Sequence, residues 1–249
     1  MASVGNHVGR TRLLVLVSLF ASLHGILAAL PGIWGPPDVA RSFVIFVESI
    51  EGIILGPAMG FLSGSIGCVL GRMIRPREEG FLLSVAFGMG EPMAALIAGL
   101  MFRRKWPLVL LAYSVMLGIF LIDPLTWSAR LPLWSIWNTF LASLLILPTH
   151  IVVRRSLEHR ENAKMLGPAV CLTTFISTEA DMLFRIFLLV PLGFYAIYPI
   201  PVEILPAVFV MGAIVTPIEA ALSMFFGTIL AVPILLAIER SKVIQWPLE

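Results

Sequence analysis

The chain has 249 residues, of which 59% are hydrophobic and 13% charged, and its mean hydropathy is +0.97. Soluble domains carry about 25% charged residues, so this composition excludes a water-soluble globule and predicts an all-α, polytopic transmembrane helix bundle of the cell membrane. A net charge of +2 is too small to draw the chain to nucleic acid, and the alternating pattern of a membrane β-barrel is absent.

Eight apolar segments follow one another. The first, 13–33, comes after Arg10 and Arg12 and runs into Pro31, Gly32 and Trp34, with no small-residue cleavage site, so it reads as a retained helix. The second, 42–55, is short, which suits a helix covered by protein instead of lipid. The third, 57–73, carries Gly60, Gly64, Gly67 and Gly71 behind Gly56-Pro57. Small residues at this spacing let helix backbones approach closely in lipid, and proline suits the first helical position. Segments 81–102, 107–123, 131–153 and 168–192 come next. The last, 205–238, is too long for a straight crossing of a roughly 30 Å core and has to tilt, kink at Pro217 or begin at the interface.

Counting six to eight of these as spans predicts both termini in the cytoplasm. With eight, eleven basic residues fall on the inner side, including Arg103, Arg104, Lys105, Arg154, Arg155 and Arg160, and five on the outer side, Arg41, Arg72, Arg75, Arg77 and Arg130. Trp34, Trp127, Trp134 and Trp137 then mark outer ends, and Trp106 and Trp246 inner ends, as an aromatic belt would. Trp34 and Trp127 are also candidate ligand contacts, in outer loops 31–41 and 123–131 that, with 73–80, would form a lid.

Ionisable groups inside the bilayer cost at least about 2.5–3.5 kcal/mol each, so they should face protein, water or a ligand. Glu48 and Glu51 share one face of the second segment, and Glu91 precedes Pro92. Glu179, Asp181 and Arg185 lie in the seventh segment and Glu219 in the eighth. Glu48, Glu51, Glu91, Asp181 and Arg185 are candidate substrate-binding residues, with Asp181 and Arg185 also spaced to pair within their own helix. One cation against six acids favours a cationic or hydrogen-bond-donating ligand, or several acids that are protonated. Cys68 and Cys171 lie in apolar runs and read as small hydrophobes, and the scattered histidines suggest no metal site. HExxH, P-loop and paired-aspartate motifs are missing, so no catalytic residue or cofactor is assigned.

The stretch "EGIILGPAMGFLSGSIG", preceded by "LFASLHGILAALPG", resembles the substrate-binding S component of energy-coupling-factor vitamin transporters. The resemblance spans 10–153 and implies a six-span core that captures a small vitamin-like nutrient and works with a transmembrane coupling protein and separate ATPase subunits. It also implies that Ala21, Gly25 and Ala29 form the face docking onto that coupling protein. After it the chain departs from the pattern, with a charged linker at 154–167 and two further spans in 168–249. The alternative function is an integral membrane enzyme acting on a lipid or prenyl substrate.

Overall fold

The computed structural model describes residues 2–30, 42–77, 80–197, 200–241 and 246, with side chains from residue 11 onward. Among them the protein is all-helical, and five helices are long and apolar enough to cross a membrane. The helices are α1 (Ala2–Ala29), α2 (Glu48–Leu55), α3 (Pro57–Ile74), α4 (Phe81–Gly88), α5 (Gly90–Phe102) and α6 (Trp106–Ile122). They continue with α7 (Pro124–Ser128), α8 (Trp137–Glu158), α9 (Ala163–Leu189), α10 (Phe194–Ile197) and α11 (Leu205–Ser241). Short 3-10 turns, Phe43–Phe46, Leu133–Ile136 and Val202–Ile204, lead into α2, α8 and α11.

The described part of each apolar segment falls mainly on helix, and the second and fourth are broken. The second is a 3-10 turn, then Val47, then the eight residues of α2, all of them buried. Such a helix has no lipid to face, which is why its sequence can hold two acids. It ends at Gly56, whose φ of 81° lets the chain turn straight into Pro57 at the start of α3. The fourth segment is interrupted at Met89 between α4 and α5. The eighth is one continuous 37-residue helix with Pro217 and Pro233 inside it.

Close packing of small residues sets the helix directions. Ser63 Oγ donates to the Val17 carbonyl, and a Cβ on Gly67 would stand 2.8 Å from the Ala21 carbonyl and one on Gly71 2.8 Å from that of Gly25. Contacts that climb both helices together make α1 and α3 parallel, so the chain returns through residues 42–55 between them. Pro92 meets Gly64 while Gly99 meets Pro57, so α5 is antiparallel to α3. Thr178 pairs with Ser223, and Thr174 lies against Gly227, which makes α9 antiparallel to α11. In lipid, where apolar side chains gain little by leaving a neighbour of equal polarity, such close backbone contact drives association.

α8 runs to Glu158 and α9 starts at Ala163, so most of the expected linker, 154–167, is helical. α9 is the hub of the bundle, packed on α5, α6, α8 and α11. Its Ile176, Ala180 and Leu183 join Met101, Tyr113 and Ile146 in one apolar cluster, and Leu166, Ala169 and Val170 join Ile53, Ala98 and Trp246 in another.

Candidate functional site

Buried charge collects where the broken helices meet α1, α3 and α9. Glu51 lies in the first turn of α2 and Glu91 in that of α5, where the helix dipole favours a carboxylate. His24 of α1 stands between them. Its Nδ1 is 3.1 and 3.2 Å from the two Glu51 oxygens, and its Nε2 is 3.2 Å from Glu91 Oε2. A neutral imidazole has a single donor, so the ring serves both carboxylates either as the imidazolium or as the neutral ring with one of the two carboxyls holding the proton. Glu91 Oε1 accepts from Ser42 Oγ at 2.7 Å and Arg72 Nη2 at 3.2 Å, and Arg185 Nη2 lies 3.7 Å away. Arg185 Nε donates to Asp181 Oδ1 at 2.6 Å, the pairing within α9 expected from their spacing. Arg72 Nη1 also donates to the Ala28 carbonyl at the end of α1, where a cation complements the helix dipole.

His24, Arg72 and Arg185 thus oppose Glu51, Glu91 and Asp181, three basic groups against three acids. That balance answers the cost of burying each alone. His24, Glu51, Glu91 and Asp181 are fully buried, and Arg185 is 14% exposed.

The glycine stripe has a second use here. A Cβ on Gly64 would sit 3.3 Å from Glu51 Oε2 and 3.4 Å from His24 Cε1, and one on Gly67 would meet His24 Cβ at 2.5 Å. One on Gly90 would fall on the Asp181 carboxylate. The glycines bring helices together and also leave the space that the charged side chains fill.

Next to this chain lies a band of hydroxyls and acids. Glu179 accepts from Asn138 Nδ2 at 2.9 Å and Thr139 Oγ1 at 3.0 Å, and Asn138 also reaches Thr216. Glu48 Oε1 accepts from Thr178, which pairs with Ser223, and Ser223 Oγ donates to the Ile45 carbonyl in the broken second segment. Ser49 and Thr174 join at 3.0 Å, and Glu219 is buried on α11. The stretch Thr173–Asp181 of α9 is buried at every position, which places its polar groups against all the neighbours at once.

Five of the expected site residues, Glu48, Glu51, Glu91, Asp181 and Arg185, therefore share one buried region. Trp34 lies outside the described residues. Trp127 does not join them: it is 61% exposed, and its indole N–H donates to the Leu121 carbonyl. Trp246 is buried instead of belonging to a belt, lying against Phe102 and under the Arg160 guanidinium. The expected partner face lies against the chain's own third helix. Ala21 and Gly25 are covered by α3, with Ala29 half-buried beside them, because the chain's own glycines are the closest complement to that face.

Sequence reasoning passed over His24 and Arg72 and counted Arg185 as the only intramembrane cation. Signals for both were present: His24 borders the Ala21–Gly25 face, and Arg72 continues the Gly64–Cys68 row at four-residue spacing. Neither a known protein family, nor a curated protein, nor a solved structure matches the chain.

Proposed function

We propose that this protein is a membrane-embedded capture subunit for uptake of a small organic nutrient, held in the buried polar region between α2, α5, α9 and α11. The observation that supports this reading is the surplus of acid: Glu48, Glu51, Glu91, Glu179, Asp181 and Glu219 are all buried, against His24, Arg72 and Arg185. Glu48 and Glu179 accept from hydroxyls and an amide, Glu48 also acts electrostatically on Arg185, and Glu219 is buried on α11. A solute with an ammonium group or several N–H donors complements these acids. Broken helices supply the second support, since discontinuous segments near mid-bilayer are where transporters build solute sites.

Eight crossings with both termini in the cytoplasm form part of the proposal. Parallel α1 and α3, with 42–55 returning between them, and the surplus of basic residues on one side both favour it. Reliance on separate coupling and ATPase subunits rests on the resemblance that residues 19–32 and 51–67 carry. With Ala21 and Gly25 covered by α3, any docking face lies elsewhere on the bundle.

The test is mass-spectrometric identification of small molecules that co-purify with the detergent-solubilised protein, followed by thermal-shift titration of the identified solute. Glu48→Gln is expected to weaken its binding at least about tenfold, the scale of one lost charged hydrogen bond. Glu203→Gln, an exposed acid in a connecting turn, should leave binding intact. Equal binding by both variants, or no solute that co-purifies or shifts the melting curve, would refute the reading.

A further inference from the structure

At the opposite end of α8 from Asn138, a second and separate feature carries chemistry. An open groove of about 390 Å³ is lined by His150, Ile151, Arg154, Arg155 and Glu158. Arg154 pairs with Glu158 at 3.6 Å, but the two side chains are 65% and 58% exposed, and a pair so open to solvent holds its arginine weakly. Arg155 is exposed and takes no carboxylate partner among the described residues. The α5–α6 turn adds further positive charge. Arg104 adopts a φ of 58°, with its N–H on the Met101 carbonyl and the Lys105 N–H on the Leu100 carbonyl. This tight turn holds Arg103, Arg104 and Lys105 at the same end of the bundle, and Arg104 and Arg154 both act electrostatically on the His150 ring.

The groove opens onto apolar surface. Trp106, at the start of α6, packs its ring on His150 with centroids 5.9 Å apart, the amphipathic arrangement that suits the headgroup level. Ile151 in the groove is itself 48% exposed, and one to two turns back along α8 stand Leu147 and Leu144, 51% and 75% exposed. Leu108 and Leu111 extend the same kind of surface on α6. Cations therefore border a strip that acyl chains would cover.

We propose that this groove binds the phosphate of an anionic phospholipid, with Arg154 and Arg155 on the phosphate oxygens, Glu158 accepting from a headgroup donor, and the acyl chains along the exposed leucines of α6 and α8. Guanidinium groups meet phosphate with two parallel N–H bonds, which gives the site geometry as well as charge. A free phosphate ion would use the arginines but gain nothing from the apolar strip, and that continuity is why a lipid is the occupant.

The test uses the full chain in nanodiscs of phosphatidylcholine with and without one-fifth phosphatidylglycerol, with inorganic phosphate as a separate arm. Readouts are melting temperature and the phosphatidylglycerol retained after extraction, counted by native mass spectrometry. Wild type is expected to be stabilised by phosphatidylglycerol and to retain it. Arg154→Gln/Arg155→Gln should lower retention about 30-fold, from about 1 kcal/mol per arginine. Both residues are exposed, so the double variant should melt with wild type in pure phosphatidylcholine, which separates lost binding from lost fold. Arg240→Gln, an exposed cation near the end of α11, should retain lipid normally. Equal loss in Arg240→Gln would show diffuse attraction and overturn the site. Stabilisation by inorganic phosphate equal to that by phosphatidylglycerol would overturn the lipid assignment.

Discussion

Adding one methyl group at Gly52 tests how tightly the buried second segment is held. A Cβ there would fall on the Ala95 carbonyl oxygen, 2.7 Å from the Ala95 carbonyl carbon and 2.9 Å from the Gly99 nitrogen. All three atoms are backbone of α5, so no side-chain rotation relieves the contact and α2 must move off α5. Overpacking of this kind costs about 1–3 kcal/mol, and a backbone obstacle puts Gly52→Ala near the top of that range. Alanine's better helix propensity returns about 1 kcal/mol, leaving a net loss of about 2 kcal/mol. At about 2–4 °C per kcal/mol for a chain of this size, Tm should fall by about 4–8 °C. Gly118→Ala on α6 is the control, since nothing lies within 4 Å of a Cβ there and only the propensity gain applies. Thermal unfolding in detergent, followed by tryptophan fluorescence, reads both. If Gly52→Ala melts together with wild type and Gly118→Ala, the α2–α5 contact is not as close as described, and the positions of Glu48 and Glu51 on α2 lose their support.

Other substitutions probe the charge chain and its surroundings. Arg72→Leu leaves Glu91 short of a counterion and should cost about 3–5 kcal/mol, whereas Arg72→Leu with Glu91→Leu should recover part of that loss in a double-mutant cycle of unfolding. Trp246→Ala should cost about 3–5 kcal/mol by removing a buried ring from Phe102 and Arg160, and Arg160→Ala should then add little to it. Trp127→Ala should stay within about 0.5 kcal/mol of wild type in the same melts, as expected of an exposed residue. A cysteine at His159 should react with an impermeant maleimide only after the cells are permeabilised; labelling in intact cells would reverse the proposed orientation.

Hydropathy alone determined that the chain is helical and apolar enough for a membrane, because in lipid a backbone must satisfy its own hydrogen bonds and the helix does this locally. The positions of the helices followed for the same reason: each depends on a run of neighbours in sequence, as the Gly56-Pro57 boundary illustrates. The acids were legible too, since an ionisable residue in an apolar run stands out wherever it goes in space. What they pair with was not. His24 meets Glu51 and Glu91 from 27 and 67 residues away, and Arg72 reached the cluster only because α3 runs parallel to α1 and close to α5. The role of the Ala21–Gly25 face was likewise undecided in one dimension, for a small-residue stripe fits any other stripe. Tertiary structure chose α3, because the chain's own glycines stood opposite that face at matching intervals, and it placed α9 at the centre, with Thr173–Asp181 buried at every position.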